Sequence, residues 1–141
     1  MRYLALTLFF VAGLADSAAA QKFEPVLERF VSYWARGDED GIAALATRQG
    51  IQLDFNRKEM GPLAGRQAAA LLRRLFEDHE TINVRLMTSR SLDSQPKRAF
   101  GEISWMMTPR GTTIPEKTSV FVGLILEGEN WRITEIRFVR P

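Results

Sequence analysis

Cysteine is absent from the chain, and that absence removes disulfide staples, thiolate metal ligands, a cysteine nucleophile and a lipid-modified N-terminal cysteine. Histidine occurs once, as His79, so paired histidine ligands and a His-Glu-x-x-His metal motif are excluded. A serine triad would need that same histidine, which sits in the polar run Glu77-Asp78-His79-Glu80 at an expected helix end and reads as a surface residue. Charge of one sign is lacking too: 19 Lys and Arg stand against 17 Asp and Glu, a formal net charge of +2. Arg57, Lys58, Arg66, Arg73 and Arg74 are interspersed with Glu59, Glu77, Asp78 and Glu80 instead of forming a basic stripe, so no nucleic-acid partner is expected. The Gly61 to Gly65 segment has no lysine and hydroxyl at the spacing of a phosphate-cradling loop. No metal and no cofactor is expected.

Long apolar runs are missing as well. A membrane span needs about 20 apolar residues, whereas the run from Leu4 to Ala15 is shorter, contains Gly13 and is closed by Asp16. With Arg2 before it and Ser17-Ala18-Ala19-Ala20 after it, the segment has the three-part layout of a secretory signal. Residues 1–20 are read as that signal, cleaved after Ala20, which makes the mature chain periplasmic or extracellular with no stable membrane anchor. Arg2 and Asp16 leave together, so the charge balance is unchanged. Residues 21–141 are read as one domain, large enough to bury a core without covalent help.

Within that domain, Phe23, Val26, Leu27, Phe30, Val31 and Trp34 recur at helical spacing on one stripe, and Gly37 supplies a left-handed stop. Asp38 or Asp40 can cap a shorter helix that buries Ile42 and Leu45, turning a corner. Ile51, Leu53 and Phe55 alternate with Gln52, Asp54 and Asn56 as a half-buried strand, followed by a loop punctuated by Gly61-Pro62 and Gly65. A third helix from about Arg66 turns Ala68, Leu71, Leu72, Leu75 and Phe76 inward and is expected to fray at Asp78-His79-Glu80, where acids meet its negative end.

From Thr81 the period becomes two. Strands carry Ile82, Val84 and Leu86, then Ile103, Trp105 and Met107, with 91–97 and 109–116 as connections. In 117–127, Val120, Val122, Leu124 and Leu126 share one face while Phe121 and Ile125 occupy the other, so this strand is expected to be covered on both sides. Gly128-Glu129-Asn130 makes a hairpin turn into 131–139. There Trp131 and Ile133 are out of phase with Ile136 and Phe138, which predicts a β-bulge near Thr134-Glu135.

The order helix, helix, strand, helix and then antiparallel strands resembles the nuclear-transport-factor-2-like (NTF2-like) superfamily over essentially all of residues 21–141. The segments that carry the resemblance are Tyr33-Trp34-Ala35-Arg36-Gly37-Asp38, Gly61 to Ala68, and Trp131 to Phe138. Secreted bacterial members of unknown function look most similar. The resemblance implies an α+β, cone-shaped, cystatin-like roll, with three helices of the N-terminal half packed on a curved, mostly antiparallel sheet. It also implies a cone mouth able to admit a small apolar or amphipathic molecule, and a homodimer through the sheet's outer face.

Enzymes of this fold that move protons beside a carbonyl set an acidic base against tyrosine, histidine or a protonated carboxyl group inside the cone. Tyr33, Asp54, Glu102 and Arg137 are the candidate ligand-binding residues, with Arg85 a second possible partner for the carboxylates. The two-residue alternation equally allows all four strand residues to point outward. Phe121, Ile125 and Trp105 are the candidate interface residues, the Trp105-Met106-Met107 run being read as core and interface. No convergent acid–base set emerges. The leading expectation is a non-enzymatic binding or interaction module. The alternatives are an isomerase, dehydratase or cyclase using Asp54 or Glu102 as base, and a pocketless dimeric scaffold.

Overall fold

The computed structural model describes residues 22–139; the expected signal segment and its cleavage site lie outside them. Helix α1 (Glu24–Arg36) begins with Pro25 in its first turn and ends at Gly37, whose φ of 61° lets its N–H and that of Asp38 reach the carbonyls of Trp34 and Tyr33. Asp38 then caps α2 (Glu39–Ala44), its carboxylate accepting from Gly41 N–H at 2.9 Å. The corner is tight, because a Cβ on Gly41 would stand 2.7 Å from the Tyr33 ring.

Strand β1 (Ile51–Phe55) is followed by β2 (Lys58–Leu63), where a loop was expected. Asn56 and Arg57 both take positive φ (56° and 67°), the geometry of a two-residue hairpin turn. Gly61 and Pro62 are tolerated in β2 because it is an edge strand that needs no donor on its outer side. Gly61, at φ 117°, occupies the irregular register opposite Ile51, where a Cβ would lie 2.8 Å from the Ile51 carbonyl.

Helix α3 (Gly65–Asp78) turns Ala68, Ala69, Leu72 and Leu75 inward. Its last turn, where fraying was expected, is hydrogen-bonded from outside the helix. Arg110 N–H donates to the Asp78 carbonyl at 2.8 Å and the Arg110 guanidinium to that of Glu77, satisfying the last turn from 32 residues further along the chain. The chain passes directly from α3 into β3 (His79–Leu92).

β3, β4 (Arg98–Pro109), β5 (Glu116–Glu127) and β6 (Asn130–Val139) complete a six-stranded sheet of order β2-β1-β6-β5-β4-β3. Every neighbour pair is antiparallel except β1 with β6. The bulge expected in the last strand is present: Gly123 pairs with Glu135 and Leu124 with Ile133, leaving Thr134 as the extra residue. Trp131, Ile133, Ile136 and Phe138 are thereby all buried. Two more irregularities, at Thr81/Asn83 and Leu86/Thr88, bend β3.

The helices lie on one face of the sheet, and aromatic rings fill the space between. Trp34 meets Trp105 at 5.2 Å and Phe76 at 5.0 Å edge to face, and Phe30 at 5.3 Å with the rings tilted; Trp105 meets Phe138 at 5.8 Å. Where α1 crosses β4, Gly101 allows the close approach; a Cβ there would come within 2.9 Å of the Leu27 side chain.

Candidate functional site

With the cone packed by its own side chains, a large concavity lies on the sheet's other face. The alternation of β5 explains its floor. Val120, Val122 and Leu124 are buried toward the helices, so Phe121, Gly123 and Ile125 point away from them. Strand register then lines up two rows across the outer face: Asp54, Arg137, Phe121, Glu102 and Thr88 in one, and Gln52, Glu135, Gly123, Phe100 and Arg90 in the other. Gly123, between Phe100 and Glu135, contributes no side chain and leaves a gap. The resulting groove has a volume of about 630 Å³ and is lined chiefly by Arg90, Phe100, Glu102, Phe121, Glu135 and Arg137. Its apolar walls are half open to solvent: Phe100 is 40% exposed and Phe121 45%.

The groove's charged residues are unequally partnered. Arg137 holds Asp54 through Nε at 3.3 Å and Glu135 through Nη2 at 2.8 Å. Asp54 is only 7% exposed, and its Oδ1 is buried without a hydrogen-bond partner among the described residues. Glu102 Oε1 accepts from Ser119 Oγ at 3.1 Å. Arg90 stacks on Phe100, its guanidinium 5.7 Å from the ring centre, and has no ion-pair partner among the described residues.

Of the candidate ligand residues, Asp54, Glu102 and Arg137 therefore come together, but on the outer face and not inside the cone. Tyr33 is not with them. Its ring packs on Gly41 at the corner between α1 and α2, beneath the Arg36 guanidinium. Among the described residues the Arg85 side chain makes a single long contact, 3.9 Å to Met87 sulfur.

Two further expectations are corrected. Trp105 is fully buried and donates from Nε1 to Thr81 Oγ1 at 3.0 Å, so it belongs to the core and contributes no interface. On the outer face its place falls to the next residue, Met106, because successive strand side chains alternate. His79 is half-buried instead of lying free on the surface: its ring is 5.4 Å from that of Trp105, and its Nδ1 is 2.8 Å from the Leu75 carbonyl. It borders a second, polar cavity of about 410 Å³, where Arg73 pairs with Glu39 at 3.0 Å. A backbone hydrogen bond, then Arg73, hold the Glu39 carboxyl below its ordinary value.

Phe100, Arg90 and Gly123 were missed from sequence. Phe100 offered a signal, since it shares the two-residue phase of Glu102, but Arg90 and Gly123 become meaningful only through cross-strand register.

No protein-family model and no curated protein matches the sequence. Solved structures do match in shape. A DUF4783 family protein from Bacteroides uniformis is 13% identical, covering 82% of this chain and 97% of that one at a TM-score of 0.69. A domain of unknown function with a cystatin-like fold from Nostoc punctiforme is 14% identical over 92% of this chain and 79% of its own, at 0.63. An NTF2-like design with a long sheet is 13% identical, covering 83% and 99%, at 0.62. The chain has the NTF2-like, cystatin-like α+β fold, in the version shared with uncharacterised bacterial proteins.

Proposed function

We propose that the mature protein is an exported, non-enzymatic binding module that takes a small amphipathic molecule on the outer face of its sheet. The observation that carries this reading is the position of the cavity: aromatic packing occupies the cone, while a groove of about 630 Å³ with two exposed phenyl rings opens outside it. That volume falls within the range of about 300–1,000 Å³ common for ligand sites, and an apolar lining with a few placed polar groups suits such a ligand. The enzyme alternative loses support from the same geometry. Asp54 is tied to Arg137 and Glu102 to Ser119, on the face opposite Tyr33 and His79.

Mass spectrometry of native protein recovered from an exporting host tests the reading. A retained apolar molecule that a Gly123→Leu variant fails to retain is the expected result. Indistinguishable spectra from parent and variant, with no amphiphile bound by either, would refute it. N-terminal sequencing of the same sample should begin at Gln21, and a product starting at Met1 would refute export by cleavage.

Exposed Phe121, Phe100 and Met106, together on one face, favour a second reading, a homodimer through that face. Phe121→Asp should then lower the sedimentation coefficient at micromolar concentration. A parent that is already monomeric excludes the dimer and leaves the face to a ligand.

A further inference from the structure

We infer that the groove selects anionic amphiphiles, a carboxylate on an apolar chain, and that Arg90 is the residue that receives the head group. The inference rests on reading the outer-face groove as a ligand site. It starts from the unequal partnering of the groove's charges. Among the described residues that line it, Glu135 is bound by Arg137, Arg137 is shared between two carboxylates, and Glu102 is held by Ser119. Arg90 is the one cation of the groove with no carboxylate beside it, while Glu102, likewise without a counter-charge, keeps a neutral hydroxyl partner. Its guanidinium rests on the Phe100 ring, which orients a planar fork of donors while leaving its edge open. Thr88, also in the groove wall and on the same face of the strand, adds a hydroxyl donor.

Polarity along the groove fixes the orientation of the guest. From Arg90 on β3 the row crosses Phe100 on β4 and the open position of Gly123 on β5 to Glu135 on β6. Three strand spacings make this path about 14 Å long. A carboxylate at the Arg90 end gains a charge-assisted, bidentate contact, and its alkyl chain lies over the rings and Gly123. At the far end the Glu135 carboxylate repels an anionic head, and Arg137 is already occupied. A cationic amphiphile in either orientation leaves Arg90 uncompensated or faces it directly.

Calorimetric titration of the mature protein with dodecanoate, dodecyltrimethylammonium and dodecyl maltoside, each below its micellar concentration, tests the inference. Dodecanoate should bind most tightly. Arg90→Gln should weaken it by about tenfold or more, the scale of one hydrogen bond to a charged group, and Arg90→Lys should recover part of the loss. Gly123→Leu should block all three probes by filling the floor; the nearest atoms to its new Cβ would be Thr134 Oγ1 at 3.3 Å and the Glu135 side chain. Thermal melts of each variant confirm folding. Equal affinity for the anionic and cationic probes, or dodecanoate binding unchanged by Arg90→Gln yet lost in Gly123→Leu, would overturn the role of Arg90 while leaving the groove a ligand site. Binding unaffected by Gly123→Leu, or no binding of any probe, would overturn both.

Discussion

Trp34 and Trp105 offer two indole rings in one core, both fully buried and 5.2 Å apart, that differ in how the ring N–H is satisfied. The Nε1–H of Trp105 donates to Thr81 Oγ1, whereas that of Trp34 is buried with no partner among the described residues. Trp→Phe at either position removes roughly 40 Å³ of packed volume, worth about 1 kcal/mol at the usual cost of a cavity. At Trp105 the substitution also forfeits a hydrogen bond, about 1 kcal/mol more. At Trp34 it removes an unsatisfied buried donor, whose desolvation costs about 1–3 kcal/mol in the parent, so the lost packing is offset or more than offset. Trp34→Phe should therefore lie between the parent's stability and about 2 kcal/mol above it, and Trp105→Phe about 2 kcal/mol below it. With a urea slope of about 2 kcal/mol per molar, the second change lowers the midpoint by about 1 M. Far-UV circular dichroism is the assay, since fluorescence would lose a reporter. Trp34→Phe falling as far as Trp105→Phe would refute the reasoning. Trp34→Ala, which empties the site, should cost about 3–5 kcal/mol.

Removing Thr134 altogether should abolish cooperative unfolding, because without the bulge Ile136 and Phe138 shift to the outer face; Thr134→Ala should stay within about 0.5 kcal/mol. A deletion variant with the parent's melting temperature would show that the register is set elsewhere. Glu39 gives a pH test. Its carboxyl is held below the ordinary 4.5, so the stability contributed by the ionised form is complete above that value and is lost as pH falls through the lowered one. Glu39→Gln should flatten the acid limb of a melting-temperature profile, and an unchanged limb would mean that its contacts with Arg73 and the backbone do not favour the charged form.

Local period and punctuation made much of this fold legible. The stripe from Phe23 to Trp34 settles which side of α1 is buried, and Gly37 settles where the helix stops, because both are properties of one turn and its neighbours. The phase slip between Ile133 and Ile136 sufficed for the bulge at Thr134, since a strand with one buried face must keep its period. The two apolar faces of 117–127 were equally visible, and the outer one carries Phe121 beside the groove.

Pairing was not legible. Gly61-Pro62 reads as a loop locally, yet β2 is a strand because β1 offers it an edge. Alternation left Asp54 and Arg137 free to face either way. Only the parallel register of β1 on β6 sets them side by side, and burial on that face makes the pair necessary. The end of α3 depends on Arg110, and Trp105 points inward because the helices supply its contacts. The groove is tertiary in the same sense: Gly123 is one small residue in a strand until Phe100 and Glu135 are drawn up on either side of it. A residue's period shows which face it shares with its own strand, but which residues meet across that face is decided when the strands pair.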